Sequence, residues 1–90
     1  MLLTLACTEP AQTFVVPKNP EDVRGRFLTQ VEGHPIADAR AFFAKHGIAC
    51  DEALRSATEA RAHVCHVPDR KWSIVLYERN GRVADVQGSY

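Results

Sequence analysis

A β-hairpin is predicted by the stretch Trp72-Ser73-Ile74-Val75-Leu76-Tyr77-Glu78-Arg79-Asn80-Gly81-Arg82-Val83-Ala84-Asp85-Val86. β-Branched and aromatic residues favour strands, and Asn-Gly favours a tight turn. A two-residue loop places Leu76 opposite Asp85, whereas a three-residue loop of residues 79–81 places Leu76 opposite Ala84. Register follows the buried face, so we predict the three-residue loop. It gives one continuous apolar face, made of Trp72, Ile74, Leu76, Ala84 and Val86.

The other face of this hairpin is also apolar. Val75, Tyr77 and Val83 are expected to point away from the core. An exposed apolar patch of this kind is typical of a protein docking site or a dimer interface. The alternative is that Tyr77 merely lies on the far side of the sheet.

Two helices are predicted before the hairpin. Residues 19–22 (Asn-Pro-Glu-Asp) are typical of a helix start, with Asn19 as cap and Pro20 in the first helical position. Val23, Phe27 and Val31 follow at four-residue spacing, which places them on one helix face. Gly25 weakens this helix, so residues 27–31 have a strand as their alternative.

The second helix is predicted from Pro35 to His46. Gly47 is placed to end it in a left-handed conformation, and Ile48 is expected to fold back on Phe43. The apolar stripe of this helix consists of Ile36, Ala39 and Phe43, with Phe42 on its flank.

A further strand is predicted at residues 59–67, with Ala60, Ala62 and Val64 on one side and Arg61, His63 and Cys65 on the other. Residues 51–58 are expected to form a loop or one helical turn. Residues 13–16 form either a short edge strand or the approach to the domain. The predicted fold is α+β, with two helices on one face of a three-stranded antiparallel sheet in the order α-α-β-β-β. We assign residues 13–90 to this single domain.

Composition excludes two classes of protein. The 90 residues include 11 basic and 11 acidic side chains, and no basic stripe is visible, so a nucleic-acid partner is not expected. No apolar run approaches the roughly 18–20 residues that span a bilayer.

Cys7 follows the short apolar run Leu2-Leu3-Thr4-Leu5-Ala6 and precedes a polar stretch. This arrangement is typical of the end of a bacterial lipoprotein signal, although Thr4 stands where leucine is usual. We therefore predict that Cys7 carries lipid and that residues 1–12 are a signal remnant or a tether. The alternative is an N-terminal segment with a free thiol.

Cys50 and Cys65 then remain as an even pair, and we predict a disulfide between the end of the second helix and the first long strand. A disulfide that closes a loop of this length stabilises the fold by roughly 3 kcal/mol. The alternative is two reduced thiols in a cytosolic protein.

Sites for metal binding and catalysis were weighed against these features. Five ligand-type residues lie close together in the sequence, but none has the tight spacing typical of zinc sites. They are His46, Cys50, His63, Cys65 and His66. A thiol dyad of His46 and Cys50 with Asp51 also lacks a positioning motif. We predict no catalytic residues, no metal and no cofactor.

The second half of the chain resembles a known group. Residues 45–48 (Lys-His-Gly-Ile) close a helix, and the hairpin 74–83 ends in Gly-Arg-Val. These features are similar to those of the small α+β envelope lipoproteins of Gram-negative bacteria related to the SmpA/OmlA (BamE) group. The resemblance implies an α+β fold, an envelope location and a scaffold role, and it carries over no functional residue.

We therefore expect a non-enzymatic envelope lipoprotein, periplasmic or lipid-anchored at the outer membrane, that binds an unidentified protein partner. The alternative is a cytoplasmic protein that binds zinc or regulates a partner through its thiols.

Overall fold

The computed structural model describes residues 14–51, 54–55 and 61–90. A 3-10 turn at Pro20–Asp22 leads into helix α1 at Val23–Val31, and helix α2 spans Ile36–Ala44. Five strands follow in chain order: β1 Ala49–Cys50, β2 Leu54–Arg55, β3 Arg61–His66, β4 Ser73–Arg79 and β5 Arg82–Ser89. The predicted α+β class is confirmed.

The sheet is wider than predicted. Its antiparallel order is β1-β3-β4-β5, and β2 pairs with β3 beside β1. The prediction of three strands is wrong because Ala49 and Cys50, directly after α2, pair with His66 and Cys65. A two-residue strand has no alternating pattern to reveal it. Residues 14–17 belong to no helix or strand and pair with no described strand, and Thr13 lies outside the described residues.

Helix α1 is confirmed as a helix, which excludes the strand alternative for residues 27–31. It buries Val23, Phe27 and Val31 on one face. The start is less regular than predicted, because the first turn is 3-10 and the Asn19 side chain makes no capping hydrogen bond. The Asp22 backbone N–H bonds to the Asn19 carbonyl instead, at 3.1 Å.

Helix α2 ends as predicted. Gly47 has φ of 83°, and its N–H donates to the Ala44 carbonyl. The Ile48 N–H reaches back to the Phe43 carbonyl at 3.0 Å, which completes a Schellman motif. Ile48 is buried there, and this turn directs the chain into β1.

The hairpin loop between β4 and β5 is one residue shorter than predicted. Arg79 pairs with Arg82, so the loop has two residues, Asn80 and Gly81, both with positive φ. The extra residue lies inside β5 instead, where a bulge beside Ala84 shifts the register so that Leu76 pairs with Val86. Ala84 is exposed, and Val83 occupies the place in the core that was predicted for Ala84.

The core lies between the two helices and one face of the sheet. Helix side chains Val23, Phe27, Val31, Ala39 and Phe43 pack there with sheet residues Cys65, Ile74, Leu76, Val83 and Val86. Trp72 belongs to the same core and is 5% exposed.

The connection between the helices covers part of the β5 edge. Backbone hydrogen bonds of 2.9 Å join the Gly33 N–H to the Val83 carbonyl and the Val83 N–H to the His34 carbonyl. The Ile36 N–H bonds to the Gly81 carbonyl in the same way. These bonds satisfy groups that an open edge would expose.

Candidate functional site

Cys50 and Cys65 form the predicted disulfide. They are direct partners in the β1–β3 ladder, with an S–S distance of 2.00 Å and a Cα–Cα distance of 3.8 Å. The Schellman turn after α2 positions Cys50, and the regular alternation of β3 turns Cys65 toward the core. The bond therefore joins the end of α2 to the first long strand.

The two cysteines differ in their surroundings. Cys65 is fully buried, whereas Cys50 is half-buried on the edge strand. Arg40 of α2 donates from Nη2 to the Cys50 carbonyl at 2.6 Å. The disulfide thus joins a buried residue to a half-buried one, and the Arg40 guanidinium lies at the backbone carbonyl of the half-buried one.

Asp51 follows the disulfide and fixes the end of β1. Its N–H donates to the Val64 carbonyl at 2.7 Å, and its carboxylate accepts a bond from His66 Nε2 at 2.5 Å. Both His66 and Asp51 have exposed side chains, so this ion pair is worth little on its own.

A buried polar pair lies on the same face of β3 as Cys65. His63 Nε2 is 2.7 Å from Glu78 Oε1 of β4, and the two side chains are 7% and 15% exposed. His63 Nδ1 is buried and has no hydrogen-bond partner among the residues that the structure describes. His63 is thus buried, whereas His66 on the same strand is exposed. The place of His63 on the Cys65 face was the signal for burial, because a disulfide cysteine on β3 marks the core side.

The other ligand-type residues are dispersed. His46 stacks on Phe14 with ring centroids 3.9 Å apart, at the rim of a cluster with Phe27, Phe42 and Phe43. In the part of the chain that the structure describes, no three residues of ligand type are grouped so that they could hold a metal ion. His46, Cys50 and Asp51 likewise engage three different partners, so the structure does not bring them together as a dyad with an orienting acid.

The outer face of the sheet carries two of the three predicted docking residues. Val75 and Tyr77 lie there, beside Ala62 and Val64 of β3. Val75 is 7% exposed and Tyr77 is half-buried. Val83 does not belong to this patch, because the β5 bulge turns it into the core, where it is 2% exposed.

Asp85 joins α1 to the edge strand β5. Its carboxylate accepts hydrogen bonds from the Gln87 side chain, the Val86 N–H and Arg24 Nε. Burial by itself raises the pKa of Asp85, but these three hydrogen bonds together with the Arg24 charge outweigh it and lower the pKa from 3.8.

Cys7 lies outside the described residues. In residues 14–51 and 61–90, no helix is both long and apolar enough to cross a bilayer. No known protein family, curated protein or solved structure matches the chain. The resemblance to envelope lipoproteins therefore stays a prediction.

Proposed function

We propose that the protein is a non-enzymatic binding or scaffold module of a bacterial cell envelope, tethered through lipid on Cys7. The Cys50–Cys65 disulfide carries this proposal. Disulfides persist in oxidising compartments such as the periplasm and are rare in the cytosol. With those two sulfurs paired, Cys7 is the remaining cysteine of three.

The outer sheet face supports a binding role. The helices pack on the opposite face, and Ala62, Val64, Val75 and Tyr77 form an apolar strip on this one. Val75 is 7% exposed in that strip, and the other three residues are half-buried. Tyrosine is enriched where proteins dock, because it combines a large apolar ring with a polar tip. We infer that this strip, with Tyr77 as its aromatic residue, contacts a protein partner in the envelope.

Intact-mass analysis tests the location. The gene is expressed with its own N-terminal sequence in a Gram-negative host, and membrane and soluble fractions are separated. We expect a membrane-bound protein with acyl groups on Cys7 and a mass two hydrogens below that of the reduced chain. Cys7→Ser should lose the acyl mass and move to the soluble fraction, whereas Cys50→Ser should remain acylated. Free thiols with bound zinc would favour the cytoplasmic alternative.

Photo-crosslinking tests the binding face. A photoreactive amino acid replaces Tyr77 or, as a matched control, the exposed Arg26 on α1. We expect a crosslinked species of one defined mass from position 77 and none from position 26. Equal crosslinking from both positions would contradict a role for the outer sheet face.

A further inference from the structure

We propose that the Cys50–Cys65 bond is an exchangeable disulfide, opened by a dithiol that attacks the sulfur of Cys50. This activity goes beyond the envelope role and requires neither the lipid on Cys7 nor a partner on the outer sheet face. Three observations carry it: the register of the bond, the unequal burial of its sulfurs and the position of Arg40.

The register places the bond where a disulfide fits least easily. Because the Asp51 N–H bonds to the Val64 carbonyl, Cys50 and Cys65 occupy the adjacent non-hydrogen-bonded pair of the antiparallel ladder. The Cα atoms of this pair are 3.8 Å apart, closer than the 4.4–6.8 Å that disulfides usually span. Disulfides whose Cα–Cα distance lies outside this range are more readily reduced than ordinary structural disulfides.

Burial selects which sulfur is attacked. Cys65 is fully buried and pairs with Ile74, itself 0% exposed. Cys50 is half-buried on a strand of two residues at the sheet edge. An incoming thiolate therefore reaches Cys50 Sγ without opening the core, whereas Cys65 Sγ is shielded.

Arg40 supplies the charge that this attack needs. Its guanidinium is held beside Cys50 by the 2.6 Å bond to the Cys50 carbonyl. A positive charge attracts the approaching thiolate and stabilises the Cys50 thiolate that forms later in the exchange. Arg40 is thus a positioning residue with an electrostatic effect on the rate.

The exchange balances with a dithiol as the reductant. A thiolate of the dithiol bonds to Cys50 Sγ, the S–S bond breaks, and Cys65 leaves as a thiolate that takes a proton from water. The second thiol of the reductant loses its proton and attacks the reductant's own sulfur in the mixed disulfide. Cys50 leaves and is protonated. Two electrons move to the protein, and the dithiol becomes a disulfide.

The core does not depend on the bond. After reduction Cys65 remains a small apolar side chain among buried neighbours. β1 keeps its contacts through Arg40 and Asp51 but loses its covalent link. We therefore expect the reduced protein to remain folded, with faster hydrogen exchange at Cys50 and Asp51.

The rate of native-state reduction tests the proposal. The full chain carrying Cys7→Ser is mixed with increasing dithiothreitol, quenched with an alkylating agent and weighed by mass spectrometry. We expect a rate that rises linearly with dithiothreitol and exceeds the rate of global unfolding. A rate that is independent of dithiothreitol and equal to the unfolding rate would overturn the proposal, because the bond would then open only in the unfolded chain.

Variants test the two sulfurs and the charge separately. In the same background, Cys65→Ala should form a mixed disulfide with oxidised glutathione at Cys50, whereas Cys50→Ala should leave Cys65 unmodified. Arg40→Gln should slow reduction by about tenfold, as expected for the loss of a nearby charge. Arg24→Gln, on the other helix, should leave the rate unchanged. Equal modification of both cysteines, or no effect of Arg40→Gln, would contradict the mechanism.

Discussion

His63 is a buried imidazole whose Nε2 is bonded to Glu78, while its Nδ1 meets no polar partner within residues 14–51, 54–55 and 61–90. A buried polar group that loses its partner costs about 1–3 kcal/mol, whereas replacing both partners by apolar groups is nearly neutral. The Glu78 carboxyl therefore holds His63 in the core, and neither residue is independent of the other.

Substitution of the pair should be strongly non-additive. Glu78→Leu alone should lower the free energy of unfolding by about 1–3 kcal/mol, because it removes the hydrogen-bond partner of the buried His63 Nε2. We expect the double variant with His63→Leu to be at least about 1 kcal/mol more stable than the sum of the two single effects predicts. Urea unfolding of all four proteins measures this coupling. Additive effects would show that the pair does not act as a unit.

Alanine substitution at two glycines should change the free energy of unfolding in opposite directions. A Cβ on Gly88 would lie 2.3 Å from the Pro20 carbonyl oxygen and 2.6 Å from Pro20 Cα, so backbone must move. We expect Gly88→Ala to cost about 1–3 kcal/mol. Gly25 lies within α1, and a Cβ there meets no atom of the described residues within 4 Å, so Gly25→Ala should gain roughly 0.5–1 kcal/mol. Thermal unfolding compares them, and a stable Gly88→Ala would contradict the close approach.

Among secondary-structure elements, the helices and long strands were predictable because their signals are local. The four-residue spacing of Val23, Phe27 and Val31 and the glycine at position 47 require no knowledge of the rest of the chain. The hairpin register was not predictable in this way. A bulge inside β5 shifts the register to pair Leu76 with Val86, and its position depends on packing against α1 and the 3-10 turn. β1 was missed for the same reason, since two residues become a strand only through β3.

The ion pair between α1 and β5 should make stability depend on pH. The pKa of Asp85 is lower in the folded chain than its ordinary 3.8, so the unfolded chain binds more protons in acid. The stabilisation by ionised Asp85 is complete at pH values above its ordinary pKa. It is lost as the pH falls through the lowered pKa of the folded chain. When unfolding is measured from pH 6 toward strong acid, the free energy of unfolding should fall more steeply for the natural protein than for Asp85→Asn.

Asp69→Asn is the matched control for this measurement. Asp69 is exposed in a turn with φ of 64°, a conformation that asparagine tolerates. The free energy of unfolding of Asp69→Asn should fall in acid as steeply as that of the natural protein. An unchanged acid slope in Asp85→Asn would mean that Asp85 does not link α1 to β5 in solution.

For the whole molecule, the disulfide was predictable and the pair beside it was not. An even pair of cysteines is visible in any sequence, and the Schellman signal placed one of them just after a helix. The contact between His63 and Glu78 joins positions that are diagonal across two strands, since His63 pairs with Leu76. It emerges only once the register of β3 and β4 is known.

The stability of the reduced molecule is the prediction that joins the fold to the proposed exchange. The amount by which a disulfide stabilises a fold equals the amount by which the fold stabilises the disulfide, because the two are linked in one thermodynamic cycle. A well-fitted bond closing a loop of this length contributes about 3 kcal/mol. Since Cys50 and Cys65 are direct ladder partners, we expect reduction to cost clearly less than that. Urea unfolding of the Cys7→Ser protein with and without dithiothreitol measures the difference. A loss of about 3 kcal/mol or more would identify the bond as a structural staple and would contradict exchange in the native state.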